Sequence, residues 1–146
     1  MKQGSLRDAY RIIDANFNRS KEGLRVCEEI SRFHLRNSAL TKSLKNLRHR
    51  LTVVIKASRL DPKALFRERD SEEDVGKTFA SGTGKKSFKE IFMANAQRTK
   101  EALRVLEEFL KIFDPAASKK LQKLRFNFYT LEKETVERFP ALLDPR

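Results

Sequence analysis

Residues 15–29 read ANFNRSKEGLRVCEE and residues 94–108 read ANAQRTKEALRVLEE, with ten of the fifteen positions identical. Identity that dense, 79 residues apart in one chain, marks a duplicated structural unit. Downstream of each copy stands a second related stretch, LKNLRHRLTVV at 44–54 and LQKLRFNFYTL at 121–131. Here the offset is 77, so the connections inside the two copies differ in length. The duplicated unit is therefore a pair of helices. Apolar residues recur at steps of three and four, and no alternating strand pattern competes. The reading is an all-α chain: two tandem repeated helical hairpins packed as a pseudo-two-fold four-helix bundle. One amphipathic hairpin cannot bury its own apolar face, whereas two related ones can cover each other.

Start and stop signals place the helices at 5–36, 38–57, 87–113 and 115–138. Ser5 with Asp8 and Ser87 with Glu90 have capping-box spacing, Asn37 and Ser38 can open the second helix, and Asp114 followed by Pro115 can open the fourth. Repeat one then spans 5–57 and repeat two 87–138, within a single helical domain over 1–146. The linker, 58–86, is polar and contains Pro62, Gly76, Gly82 and Gly84, with room for a short helix near Lys63 to Arg67.

A chain of 146 residues can bury a continuous core without disulfides or a structural metal. The lone Cys27 reads as a small buried apolar side chain in a reducing compartment. Arg7, Asp8 and Arg11 near the N-terminus and the lack of an unbroken apolar run argue against a signal peptide or a membrane span, so a cytoplasmic location is expected. The net charge of +12 and pI of about 10.1 call for an anionic partner: nucleotide, phosphorylated metabolite, nucleic acid or membrane surface. Residues 1–57 carry thirteen basic and five acidic side chains against twelve and nine in 87–146, so the excess lies mostly in the first hairpin. The two signs interleave at helical spacing, which suits solvated helix faces. The aromatic residues are mostly Phe, which suits a core better than an exposed base-stacking platform.

On the first helix the stripe Ile12, Asn16, Arg19, Gly23, Val26, Ile30, Phe33 is apolar at its ends and polar in the middle. The second copy repeats it as Ile91, Asn95, Arg98, Ala102, Val105, Phe109, Ile112. Buried Asn and Arg require partners. Two readings follow: a polar pocket inside the bundle, floored by the small Gly23 and Ala102 and filled by an anion, or a device that fixes helix register by bonds across the symmetry axis. Glu22–Arg25–Glu29 and Glu101–Arg104–Glu108 have ion-pair spacing in both copies and could also position the neighbouring arginines. Arg48 and Arg125 correspond on the partner helices, where they face either the same pocket or solvent.

His34 and His49 lack neighbours at metal spacing and read as structural. The segment SGTGKKS at 81–87 departs from a phosphate-binding loop at two positions, Phe79 and Lys86; a flexible linker or an anion site at Lys85 remains. In RDSEEDVG, 69–76, Asp70 and Asp74 could hold Mg2+ and Arg69 a phosphate, with an ordinary charged loop as the competing view.

Taken together, RIIDANFNRSKEGLRVCEE, LRHRL, RDSEEDVG, ANAQRTKEALRVLEEF and LRFNFYTLE, from Arg11 to Glu132, resemble the small helical hydroxymethylpyrimidine-phosphate kinases of thiamine biosynthesis. These occur alone or fused upstream of a thiamine-phosphate synthase, and both arrangements stay open here. The resemblance implies transfer of the ATP γ-phosphoryl group to 4-amino-5-hydroxymethyl-2-methylpyrimidine phosphate, with ATP and Mg2+ required and thiamine-phosphate synthase as a possible partner. Within that chemistry Arg19, Arg98, Arg48, Arg125 and Arg69 are expected to meet phosphate charge, and Asn16 and Asn95 to bond pyrimidine or phosphate. Asp70 and Asp74 are the metal candidates, with Glu22 and Glu101 as alternatives for activating the acceptor. Differences between the copies, Phe17 against Ala96, Gly23 against Ala102 and Arg50 against Asn127, imply an asymmetric pocket. Two rival readings are a non-catalytic binding or scaffold domain that accompanies the synthase and a basic nucleic-acid-binding module. Interleaved acids and the lack of a recognition motif count against the latter.

Overall fold

The computed structural model describes residues 2–79, 84 and 87–140. Five helices, and no strand among the described residues, make up the chain: α1 Gln3–Phe33, α2 Ser38–Ala57, α3 Pro62–Arg67, α4 Phe88–Phe113 and α5 Pro115–Arg138. The all-α expectation holds, and the four long helices lie where the repeat puts them. Three of the expected caps are present. Asn37 accepts from the Leu40 N–H at 3.0 Å, Ser87 from the Glu90 N–H at 3.1 Å, and Asp114 from the Ala117 N–H at 3.2 Å ahead of Pro115. In α3, Asp61 accepts from the Lys63 N–H at 3.0 Å beside Pro62. Each bond satisfies an amide that the helix itself leaves free.

The two ends of α1 correct the sequence reading. It begins at Gln3, with Lys2 making no side-chain cap, so Ser5 and Asp8 lie inside the helix rather than opening it. It ends at Phe33 rather than at residue 36, because Arg36 turns into the left-handed region at φ 53° and the Leu35 and Asn37 amides fold back to the Ile30 and Ser31 carbonyls.

All five helices contribute to one apolar cluster. Its members pair across the duplication: Ile13 with Phe92, Leu24 with Leu103, Cys27 with Leu106, Leu44 with Leu121, Leu47 with Leu124, and Leu51 with Phe128, all buried. Burying such a side chain stabilises the fold by roughly 1.5–3 kcal/mol. These residues, and not the stripe through Ile12 and Arg19, define the inward face of α1 and α4. Arg19 and Arg98 are exposed, and the expectation of arginines on a core-facing line is corrected. The helix settles with its more apolar line, Ile13–Leu24–Cys27, inward; the Asn16–Arg19 line then falls at the rim of the α1–α4 contact.

Where α1 crosses α4 the side chains are small and polar. Ser20 and Thr99, equivalent and fully buried, donate to their own helix at the Asn16 and Asn95 carbonyls, both at 2.8 Å. A Cβ on Gly23 would stand 2.2 Å from Thr99 Oγ1 and 3.1 Å from the Asn95 carbonyl oxygen, so only glycine allows this approach. Cys27 is fully buried, and desolvation, followed by the charge of Glu132, pushes its thiol up to about 12, as an inert core residue requires.

Each hairpin is also tied by a buried ion pair at equivalent positions. Arg48 donates to Glu28 at 3.0 Å through Nε, and Arg125 donates to Glu107 through Nε and, at 3.2 Å, through Nη2, with Tyr129 Oη accepting at 3.1 Å. The Glu107 bond comes first among the causes that hold the Arg125 guanidinium well above its ordinary range. Among the described residues no helix is long and apolar enough to cross a membrane.

Two stability predictions follow from these contacts. Gly23→Ala forces α1 and α4 apart and should lose about 1–3 kcal/mol in urea denaturation. Adding Thr99→Ala should recover part of the loss, and strictly additive effects would remove the close approach as the cause. Arg125→Met alone should lose about 3–5 kcal/mol by stranding the Glu107 carboxylate, whereas Glu107→Leu with Arg125→Met should regain most of it; equal losses in the single and double variants would contradict the pairing.

Candidate functional site

The Asn–Arg line that failed as a core stripe forms the wall of a cleft. Asn16, Arg19 and Glu22 from α1 face Asn95, Arg98 and Glu101 from α4 around about 480 Å³, over a floor of Gly23 and Ala102. Six residues singled out from the repeat thus come together, three from each copy. The close crossing at Gly23 brings the two walls within reach of one small ligand. The register-device reading is not what the bonds show: the Asn16 amide donates to the Ile12 carbonyl and the Asn95 amide to the Ile91 carbonyl, both at 2.8 Å and both within their own helices. Each carboxamide NH2 is anchored, and the carbonyl oxygen has no bonding partner among the described residues.

Arg19 and Arg98 likewise have no ion-pair partner among the described residues, so two guanidinium groups line the cleft with Glu22 and Glu101 but unpaired with them. The acids between them differ. Glu101 accepts from Gln97 at 3.2 Å, while the equivalent Asn18 donates instead to Asp14, leaving Glu22 unrestrained. Arg25 and Arg104 pair with Glu29 at 3.2 Å and Glu108 at 3.0 Å on the exposed surface. These are the i,i+4 pairs the spacing predicts; the i,i+3 pairs with Glu22 and Glu101 do not form, so the runs do not link Arg25 and Arg104 to the acids of the cleft.

A second cavity of about 600 Å³ lies between α1 and the segment after α3. Asp8, Arg11, Asp14, Asn18, Arg69, Asp70, Ser71 and Asp74 line it, and it shares Asn16 and Arg19 with the first. The two cavities form one trough with Arg19 at the junction. What holds the linker here is Asp14, a buried carboxylate gripped by Arg69 through Nε and Nη2, each at 2.7 Å. That bond is the leading cause of the raised basicity of Arg69. Tyr10 accepting from the Asp61 N–H at 3.1 Å and Asp114 from the Arg59 N–H at 3.2 Å add further ties. Asp14 is the functional residue that sequence reasoning missed. Its signal was available, because the second copy has Met93 at the equivalent position.

Arg48 and Arg125 stand away from the trough, spent on Glu28 and Glu107, and the expectation that they face the cleft is corrected. Neither Arg50 nor Asn127 lines the trough; with the Asn127 carboxamide oxygen turned toward it, Arg50 donates from both Nη atoms at 3.1 Å across α2 and α5. His34 stacks on Phe88 with centroids 4.0 Å apart, and His49 is exposed. Residues 81–83, 85 and 86, which include Lys85, lie outside the described residues.

Asp70 and Asp74 each cap a turn, accepting from the Glu73 and Gly76 amides at 3.0 and 2.9 Å. Among the described residues no three His, Cys, Asp or Glu groups converge to cage a metal.

Fold and site define a class: an all-helical duplicated protein with a two-part trough, lined by both arginines and carboxylates, on the face where its copies meet. The chain belongs to the ThiD2 family, whose model matches residues 11–134. It is similar to proteins named thiamine-phosphate synthase. The one from Synechocystis sp. is 40% identical over 134 residues, covering 90% of this chain and 37% of its own. The one from Nostoc punctiforme is 39% identical over 125 residues, covering 84% and 34%, and the one from Rhodopirellula baltica 36% identical over 136 residues, covering 92% and 36%. The chain therefore spans about a third of the length of the curated relatives it matches. No solved structure matches it.

Asp14→Asn should loosen the linker without unfolding the bundle. Because the Arg69 side chain is 45% exposed and screened by water, the expected stability loss is below about 1 kcal/mol, while proteolytic cleavage within 68–79 should accelerate severalfold. Unchanged cleavage would show that the linker is held by other contacts.

Proposed function

We propose that this chain acts in thiamine biosynthesis as a kinase that transfers the γ-phosphoryl group of ATP to hydroxymethylpyrimidine phosphate. The carrying observation is that two cavities, different in charge and lining, meet at Asn16 and Arg19. A two-substrate transfer needs that geometry: donor and acceptor phosphates side by side, with cations between them. In this reading the nucleotide's phosphates lie in the α1–linker cavity near Arg11 and Arg69, and Asp70 or Asp74 would hold Mg2+, which would neutralise part of their charge. The pyrimidine occupies the α1–α4 cleft, its amino group donating to the free carbonyl oxygens of Asn16 and Asn95.

The acceptor is already an oxyanion at neutral pH, so no base need remove a proton. An acceptor phosphate oxygen forms a new P–O bond to the γ-phosphorus as the bond to the β-bridging oxygen breaks, giving ADP and the pyrimidine diphosphate. What the protein must supply is positive charge on the oxygens that gain it, and Arg19 and Arg98 supply it in a partly enclosed cleft. Glu22 and Glu101 then discriminate, by accepting from ring substituents and repelling misplaced phosphate, rather than acting as bases.

A second reading is supported by the relatives: proteins named thiamine-phosphate synthase carry this segment as about a third of their length. In it the trough holds a phosphorylated pyrimidine for the synthase and performs no transfer itself.

One assay separates the two. With ATP, Mg2+ and hydroxymethylpyrimidine phosphate, the kinase reading expects stoichiometric ADP and diphosphate, identified by mass. Arg19→Ala and Arg98→Ala should then each lower kcat by about 100-fold or more with helical content intact. A folded protein that binds the pyrimidine phosphate with no ADP release would leave the carrier reading; full activity in either variant would exclude that arginine from the transfer.

A further inference from the structure

Beyond the trough, the turn between α1 and α2 carries a cationic depression of about 830 Å³. Arg25, Arg32, Arg36, Lys42 and Lys45 line it, and its lone carboxylate, Glu28, is already held by Arg48 at 3.0 Å, with Arg25 Nη1 3.7 Å away. Arg25 also pairs with Glu29, which leaves Arg32, Arg36, Lys42 and Lys45 without an ion-pair partner among the described residues. We propose that this groove is a second anion site, selective for small molecules that bear linked phosphates.

Three arrangements point the same way. Four unpaired cations around one groove repel one another, and the first turn of α2, at the positive end of its dipole, holds no acid to offset them. A multiply charged anion relieves both. Arg36 occupies the left-handed position after α1, φ 53°, where glycine is easier, so its guanidinium is kept at a conformational cost. The groove also differs between the copies: Arg25, Arg32 and Lys42 have basic counterparts in Arg104, Lys111 and Lys119, but Arg36 and Lys45 do not. The offset falls from 79 to 77 across this turn, so repeat two has two residues fewer here, no counterpart of Arg36, Gln122 in place of Lys45, and the acid Asp114 capping α5.

Linked phosphates fit better than a nucleic-acid strand. No aromatic side chain lines the groove for base stacking, and its volume is that of a small-molecule site, roughly 300–1,000 Å³. Nothing in this proposal depends on the kinase reading.

The test is titration of the isotope-labelled full chain with inorganic triphosphate at physiological salt, followed by amide NMR shifts. Saturable shifts are expected over residues 36–45. Arg36→Gly should weaken binding at these amides about tenfold, with an equal or higher melting temperature, since glycine relieves the backbone. Lys42→Ala with Lys45→Ala should weaken it at least as much, while Arg19→Ala with Arg98→Ala should leave it unchanged. Shifts confined to the α1–α4 cleft, no saturable binding, or parental affinity in Arg36→Gly would overturn the proposal. So would a single-stranded 12-mer that binds these amides more than tenfold more tightly than triphosphate, because the groove would then be a nucleic-acid surface.

Discussion

The missing Cβ of Gly23 sets the spacing on which the rest depends. With Thr99 Oγ1 standing where that carbon would be, α1 and α4 meet almost backbone to backbone, over a layer of Ser20, Thr99 and Ala102 rather than leucine. Large apolar residues then fill the space on one side of the crossing, where Ile13, Phe92, Leu24 and Leu103 close the core. On the other side there is little to fill, and the long polar side chains at the rim enclose a cleft. Core and cleft are two consequences of one close contact. The interface tolerates polar groups because Ser20, Thr99, Asn16 and Asn95 all bond back to their own helices and leave no donor stranded at the crossing.

The buried Glu28–Arg48 and Glu107–Arg125 pairs do for each hairpin what the glycine does for the pair of hairpins. A buried ion pair adds little net stability, but breaking one is expensive, so it penalises any register that separates its members. Because Glu28 and Glu107 sit on the helices that form the cleft, the pairs fix the rotation of α1 and α4 and hence the direction in which Arg19 and Arg98 project. Arg48 and Arg125 therefore matter to the cleft without touching it.

Much of this was legible in the sequence. The repeat gave the helices, and Asn37, Ser87 and Asp114 marked their starts because capping is local chemistry, decided within four residues. The cleft residues were legible too, since Asn16, Arg19 and Glu22 recur as Asn95, Arg98 and Glu101. Their depth was not. Two lines one residue apart on α1 were both plausible inward faces, and the choice was made by apolar volume on other helices, which spacing along α1 does not encode. The roles of Arg48 and Arg125 were hidden for a related reason: their partners lie 20 and 18 residues away, beyond any helical spacing, although two acids and two arginines kept in both copies were a signal that they might be matched. The false cap at Ser5 shows the limit of spacing as a signal, since α1 already begins at Gln3 and the serine lies inside its first turns.

The duplication also explains how a symmetric beginning yields an asymmetric site. Position 14 and its equivalent, Asp14 and Met93, lie on the same flank of their helices, but only the acid can hold Arg69. That pair draws the linker over repeat one, adds Asp70, Ser71 and Asp74 to the trough, and makes a second cavity beside Arg19. The same asymmetry reaches Glu22: Asn18 is occupied by Asp14, while its equivalent Gln97 restrains Glu101. Two identical half-sites could bind two copies of one ligand; a trough with one end rebuilt by a captured linker distinguishes its two ends, as the proposed transfer between a donor and an acceptor would require.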